Sequence, residues 1–205
     1  MKLFLSSIGI PDKDIFMSLF ETTDNLSVAL IQNAQSEYTE FRKVIELEAT
    51  KNLFNKLGFR YTLIDLNELD KEELKDSLSR HSAVWFMGGN TFVLNYCIEK
   101  SGLHLFICDL LDNGLVYGGE SAGAVVAGKT LHGVEFADDP NTASKVYWDG
   151  LGLIKYGIIP HWGMIEYYDS LKKCRDEMAK YCTVKTISNT ESYIDISESN
   201  PTNNS

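Results

Sequence analysis

Basic residues are scarce in this chain: 19 Lys and Arg stand against 29 Asp and Glu, a formal net charge of −10. A phosphate backbone is bound by a basic surface, so nucleic acid is excluded as a partner. Long apolar runs are missing as well. None approaches the roughly 20 residues needed to cross a bilayer. The apolar run that opens the chain, within residues 1–7, is too short for a signal peptide and is followed by no cleavage site. The four cysteines (Cys97, Cys108, Cys174 and Cys182) show no CxxC spacing, which speaks against a zinc or dithiol motif. Cys97 and Cys108 fall in apolar helical stretches and read as reduced core thiols. The expectation is a cytoplasmic protein with no membrane partner.

Linker composition is absent too. Four prolines and fifteen glycines are scattered, and no internal stretch is rich in Ser, Gly or Pro. Residues 1–196 therefore read as one domain, followed by a polar, disordered tail over 197–205.

What is present is alternation. Short apolar runs at 2–8 and 26–31 read as buried strands, and those at 59–66, 83–87 and 115–117 as further strands. Residues 38–57, 70–79, 91–100 and 103–111 between them read as helices. In the longest, Phe41, Val44, Ile45, Leu47, Leu53, Phe54 and Leu57 form an apolar pattern closed by Gly58. This βαβ alternation predicts an α/β fold, a mostly parallel sheet flanked by helices on both faces. Past residue 127 the pattern loosens. A short strand at 157–160 ends at His161, 164–181 is helical, and 184–187 with 193–196 could form a terminal strand pair.

Three turns at strand ends carry candidate chemistry. Gly119-Glu120-Ser121-Ala122-Gly123 is a G-x-S-x-G sequence between a strand and a helix. A serine there sits on a strained turn, and the amide of Ala122 at the helix start can stabilise an oxyanion. Gly88-Gly89-Asn90-Thr91 follows the preceding strand, and parallel strands place both turns on the same sheet edge. Gly89 could offer a second oxyanion donor, with Gly88, Asn90 and Thr91 near substrate; the plainer reading of Asn90 or Thr91 is a helix cap. Pro160-His161 supplies the one histidine that ends an apolar strand downstream of the serine. His81, His104 and His132 sit in helix-flanking or turn positions. A carboxylate should orient the imidazole: Asp138 is the first candidate, with Asp139 beside it and Glu191 further on.

Taken in order, the Gly88–Thr91 turn, the serine elbow, the Asp138 to Pro140 Asp-x-Pro and Pro160-His161 resemble the peptidase E family of serine peptidases. The resemblance spans nearly the whole chain. It implies a class I glutamine amidotransferase-like fold, an acyl-enzyme mechanism, no metal and no organic cofactor. Ser121 would attack, His161 act as base, Gly89 and Ala122 hold the oxyanion, and Asp138 or Glu191 complete the triad. The implied substrate is a small peptide, an N-terminal aspartyl dipeptide in some members. Those members carry an arginine-containing segment after the histidine. Residues 162–168 hold no arginine here, and the nearest bases are Lys172, Lys173 and Arg175. A non-catalytic peptide- or metabolite-binding relative and an α/β-hydrolase-type esterase are the competing readings.

Overall fold

The computed structural model describes residues 1–196; the tail expected over 197–205 lies outside the described residues. A six-stranded sheet organises the chain in the order β3-β2-β4-β5-β1-β8. Its strands are β1 (Lys2–Ser6), β2 (Ser27–Ile31), β3 (Arg60–Ile64), β4 (Ala83–Phe86), β5 (Val116–Glu120) and β8 (Ser192–Ile196). The first five run parallel, and β8 closes the edge antiparallel to β1. A separate parallel pair joins β6 (Gly157–Ile159) to β7 (Val184–Thr186).

Side chains on successive residues of a strand point to opposite faces, and β4 shows the consequence. Val84 and Phe86 enter one core and Ala83 and Trp85 the other. Against the first face pack α3 (Lys71–Ser79), α4 (Thr91–Ser101), α5 (Ile107–Asp112) and α6 (Ala122–Val126). The second face is covered by α1 (Lys13–Met17) and α2 (Glu40–Lys56), which bring Phe16 and Phe54 edge-on to Trp85. Burying each such side chain is worth about 1.5–3 kcal/mol. A third cluster joins Phe92 and Val125 to Leu171 and Met178 of α7 (Tyr168–Met178).

Three expectations need correction. The segments at 184–187 and 193–196 do not pair with each other: β7 pairs with β6 and β8 with β1. Helix α2 is not amphipathic in the expected sense, since Phe41, Val44 and Ile45 are 76%, 57% and 51% exposed. Its N-terminal half extends beyond the core, and only Phe54 and Thr50 are buried. Cys108 is exposed rather than a core thiol, while Cys97 is buried. Among the described residues no helix is long and apolar enough to cross a membrane.

Candidate active site

Strand β5 delivers Ser121 to the sheet edge. Gly119 and Gly123 make the turn possible, because the chain folds back on itself there. A Cβ on Gly119 would lie 2.3 Å from the Gly123 carbonyl oxygen, and one on Gly123 would lie 2.2 Å from that of Phe86. Buried Tyr117 ties the turn down from below, its hydroxyl donating to the Gly123 carbonyl at 2.7 Å. Ser121 itself has φ 50° and ψ −113°, a left-handed conformation costing on the order of 1–3 kcal/mol. It precedes α6 but makes no side-chain cap, so its hydroxyl is free to face elsewhere.

It faces His161. The Nε2 of the imidazole lies 3.0 Å from Ser121 Oγ, within proton-transfer reach. His161 follows β6 with φ 59°, held by its own N–H, which donates to Ser7 Oγ at 2.8 Å. Ser7 in turn donates to the Ile187 carbonyl at 2.9 Å. This buried hydroxyl thus ties the end of β1 to the histidine and to the residue after β7.

The other ring nitrogen meets a residue that sequence reasoning did not single out. His161 Nδ1 lies 2.9 Å from Asn189 Oδ1, and the Asn189 amide nitrogen faces Met164 Sδ at 3.0 Å. With Oδ1 accepting the Nδ1 proton, Nε2 presents its lone pair to Ser121. The two expected carboxylates are placed otherwise. Asp138 Oδ2 accepts from the Thr91 N–H at 2.8 Å, so it braces the start of α4 rather than orienting the imidazole. Glu191 Oε2 accepts from the Ser188 N–H at 3.0 Å, closing the loop that carries Asn189. That bond holds the Glu191 carboxyl below its usual range. Burial pushes the Asp138 carboxyl up, opposed by the Thr91 hydrogen bonds and by the nearby His161 charge. Asp138 and His161 line the same cavity.

The β4 turn lies alongside. Gly89 adopts φ +147°, and a Cβ there would lie 2.3 Å from the Ala34 carbonyl oxygen; only glycine fits. Asn90 is committed to α4, its Oδ1 accepting from the Phe92 and Val93 N–H groups at 2.9 and 3.1 Å. Its Nδ2 donates to the Asp139 carbonyl at 3.0 Å. The cap reading of Asn90 therefore replaces the substrate-contact reading, and Thr91 is likewise buried. The N–H groups of Gly89 and Ala122 donate to no acceptor among the described residues.

Ser121 and His161 open into a cavity of about 460 Å³, which Gly88 and Gly89 also line. The start of α2 and the residues before it also line it: Tyr38, with Arg42 and Glu46 four residues apart on one face of the helix. Glu120 and Asp138 contribute carboxylates. Glu120 is pinned by the Gly9 N–H at 2.5 Å, and burial raises its pKa against the pull of that bond. Among the described residues, no group of three or more His, Cys, Asp or Glu is placed to hold a metal ion. A hydroxyl, an imidazole and two free backbone donors are the parts of a covalent acyl-transfer site.

The profile of peptidase family S51 matches residues 12–199. An uncharacterised peptidase of Listeria innocua is 26% identical over 193 residues, covering 94% of this chain and 91% of that protein. The peptidase E of a Nostoc species is 31% identical over 115 residues, 56% of this chain and 45% of its own. Among solved structures, a candidate peptidase E protein from Listeria monocytogenes superposes with a TM-score of 0.81 at 24% identity, covering 95% of this chain and 93% of that one.

Proposed function

The chain belongs to peptidase family S51 and is a serine-type peptidase; from that premise we propose that it cleaves short peptides through Ser121 and His161. The observation that carries this reading is the 3.0 Å approach of His161 Nε2 to Ser121 Oγ at the mouth of the cavity. His161 Nε2 takes the hydroxyl proton as Oγ attacks the scissile carbonyl carbon. The oxyanion so formed is received by the N–H groups of Gly89 and Ala122, each such donor being worth about 10²–10³ in rate. The imidazolium then gives its proton to the leaving amine as the C–N bond breaks, leaving an ester on Ser121. Water, deprotonated by His161, attacks that ester and releases the free acid.

Asn189 acts as the orienting partner, accepting the Nδ1 proton and fixing the tautomer. An amide carries no charge to stabilise the imidazolium. Asp138, which lines the same cavity as His161, is the carboxylate placed to supply the negative potential that a neutral partner lacks. A volume of about 460 Å³ falls in the lower part of the roughly 300–1,000 Å³ range of small-ligand sites, a size that favours dipeptides and similar short substrates over an extended chain.

The test is turnover of a dipeptide library by the wild type and by Ser121→Ala. Cleavage by the wild type that falls to background in the variant supports the reading. Undiminished cleavage by Ser121→Ala contradicts it.

A further inference from the structure

Arg42 is the one Lys or Arg side chain that lines the reactive cavity among the described residues. We propose that its guanidinium is the anchor for a carboxylate of the substrate, so that the enzyme selects short peptides carrying a free carboxylate. The proposal rests on the peptidase reading above and adds the determinant of its selectivity.

Three observations carry it. First, the guanidinium is placed rather than loose. Its central carbon lies 3.6 Å from the centroid of the Tyr38 ring, a stacked arrangement that suits the planar group. Its Nε edge faces Glu46 Oε1 at 3.6 Å, beyond hydrogen-bond length. Second, its donors are unused: the Arg42 side chain makes no hydrogen bond to any described residue, only this looser ion pair. The terminal nitrogens remain available as a fork, the geometry that receives a carboxylate with two parallel bonds. Third, the contrast within the cavity is in charge: its Asp and Glu lining residues are Glu46, Glu120 and Asp138, so the guanidinium is the fixed positive group that a substrate carboxylate meets there. A peptide lying along the cavity would be set in register by that contrast.

Arg175, the arginine nearest the histidine in sequence, is otherwise engaged. It stacks 5.2 Å over the Trp162 ring and pairs with Asp176 at 2.7 Å, and it does not line the cavity.

A substrate offers a carboxylate either on an acidic side chain or at its C-terminus, and isosteric pairs separate the two. Aspartyl-leucine is compared with asparaginyl-leucine, and alanyl-leucine with alanyl-leucinamide, using wild type, Arg42→Gln and Arg42→Lys. A hydrogen-bonded charge is worth enough that the favoured member of one pair should lead by about 10- to 100-fold in kcat/KM. Arg42→Gln should bring that ratio close to one, mainly through KM, and Arg42→Lys should keep part of it. Collapse in the first pair assigns Arg42 to a side-chain carboxylate, and collapse in the second assigns it to the C-terminus; either supports the proposal. A wild type without preference in either pair, a ratio unchanged in Arg42→Gln, or an equal fall on all four substrates overturns it. Labelling of Ser121 by a fluorophosphonate in each protein keeps the two readings apart. Labelled Ser121 with no carboxylate preference defeats only the Arg42 assignment, whereas unlabelled Ser121 without turnover defeats the peptidase site itself.

Discussion

Two adjacent turns at the same sheet edge use a polar residue in opposite ways. After β4, Asn90 folds its side chain back onto α4 and receives two N–H groups, and the turn offers the cavity only the backbones of Gly88 and Gly89. After β5, Ser121 occupies the equivalent position before α6 yet caps nothing. Its positive φ turns the hydroxyl away from its own helix and towards His161. A relaxed turn thus stabilises a helix, whereas a strained one presents a hydroxyl to an imidazole. The strain is sustained by what surrounds it: the Tyr117 bond beneath, and the Ser121 N–H donating to the Ser6 carbonyl at 3.0 Å.

The sharpest way to break that contrast is Ser121→Ala. It should lower kcat by about 10⁴-fold or more while leaving a folded protein, measured by steady-state cleavage alongside thermal melting. A second effect falls on the orienting side chain. Asn189→Ala should lower kcat by about 10²-fold, with KM little changed. Asp138→Asn should have a smaller effect on kcat, because Asp138 acts on the imidazole only through space. A larger loss in Asp138→Asn than in Asn189→Ala would reverse the two roles. On the other turn, Asn90→Ala removes a cap and should destabilise the fold by about 1 kcal/mol, read from denaturant unfolding, with a lesser effect on activity than Ser121→Ala.

The smallest expected effect is a pH dependence. Burial raises the Glu120 carboxyl above its ordinary value, so the folded state holds that proton more tightly than the unfolded chain does. Stability should therefore decline as pH rises from the unfolded value of Glu120 through its higher folded value, and level off above it. Glu120→Gln should flatten that slope to what the likewise raised Asp138 contributes, gaining stability relative to wild type at neutral pH but not below the unfolded value. Unfolding curves from about pH 4 to 8, the carboxylate-to-neutral range, would show it.

Much of this architecture was legible in the sequence where structure is local. Strand runs and glycine-rich turns follow from hydrophobic pattern and steric need, so β1 to β5, Ser121 and Gly89 lie where the residues indicate. The rest depends on tertiary placement. Asn189 sits 28 residues beyond His161, in a loop set by the β6–β7 pair, and the expectation of a carboxylate does not point to a neutral amide two residues from Glu191. Its one local signal was a polar loop directly after a short strand. Asp138 matched a familiar motif but serves the N-terminus of α4. Helix α2 misled because Phe41, Val44 and Ile45 suggested a buried stripe. The face that matters is polar: Tyr38, Arg42 and Glu46 wall the cavity while those apolar neighbours point outward. Periodicity identifies a stripe, but not which surface will cover it.

The central claim is that strain at one turn presents a hydroxyl to an imidazole, and the most direct measurement is covalent. Wild-type protein treated with a fluorophosphonate should carry the adduct on Ser121 when digested and sequenced by mass spectrometry, and His161→Ala should react far more slowly. An adduct on a different serine, or equal reactivity in His161→Ala, would contradict the account.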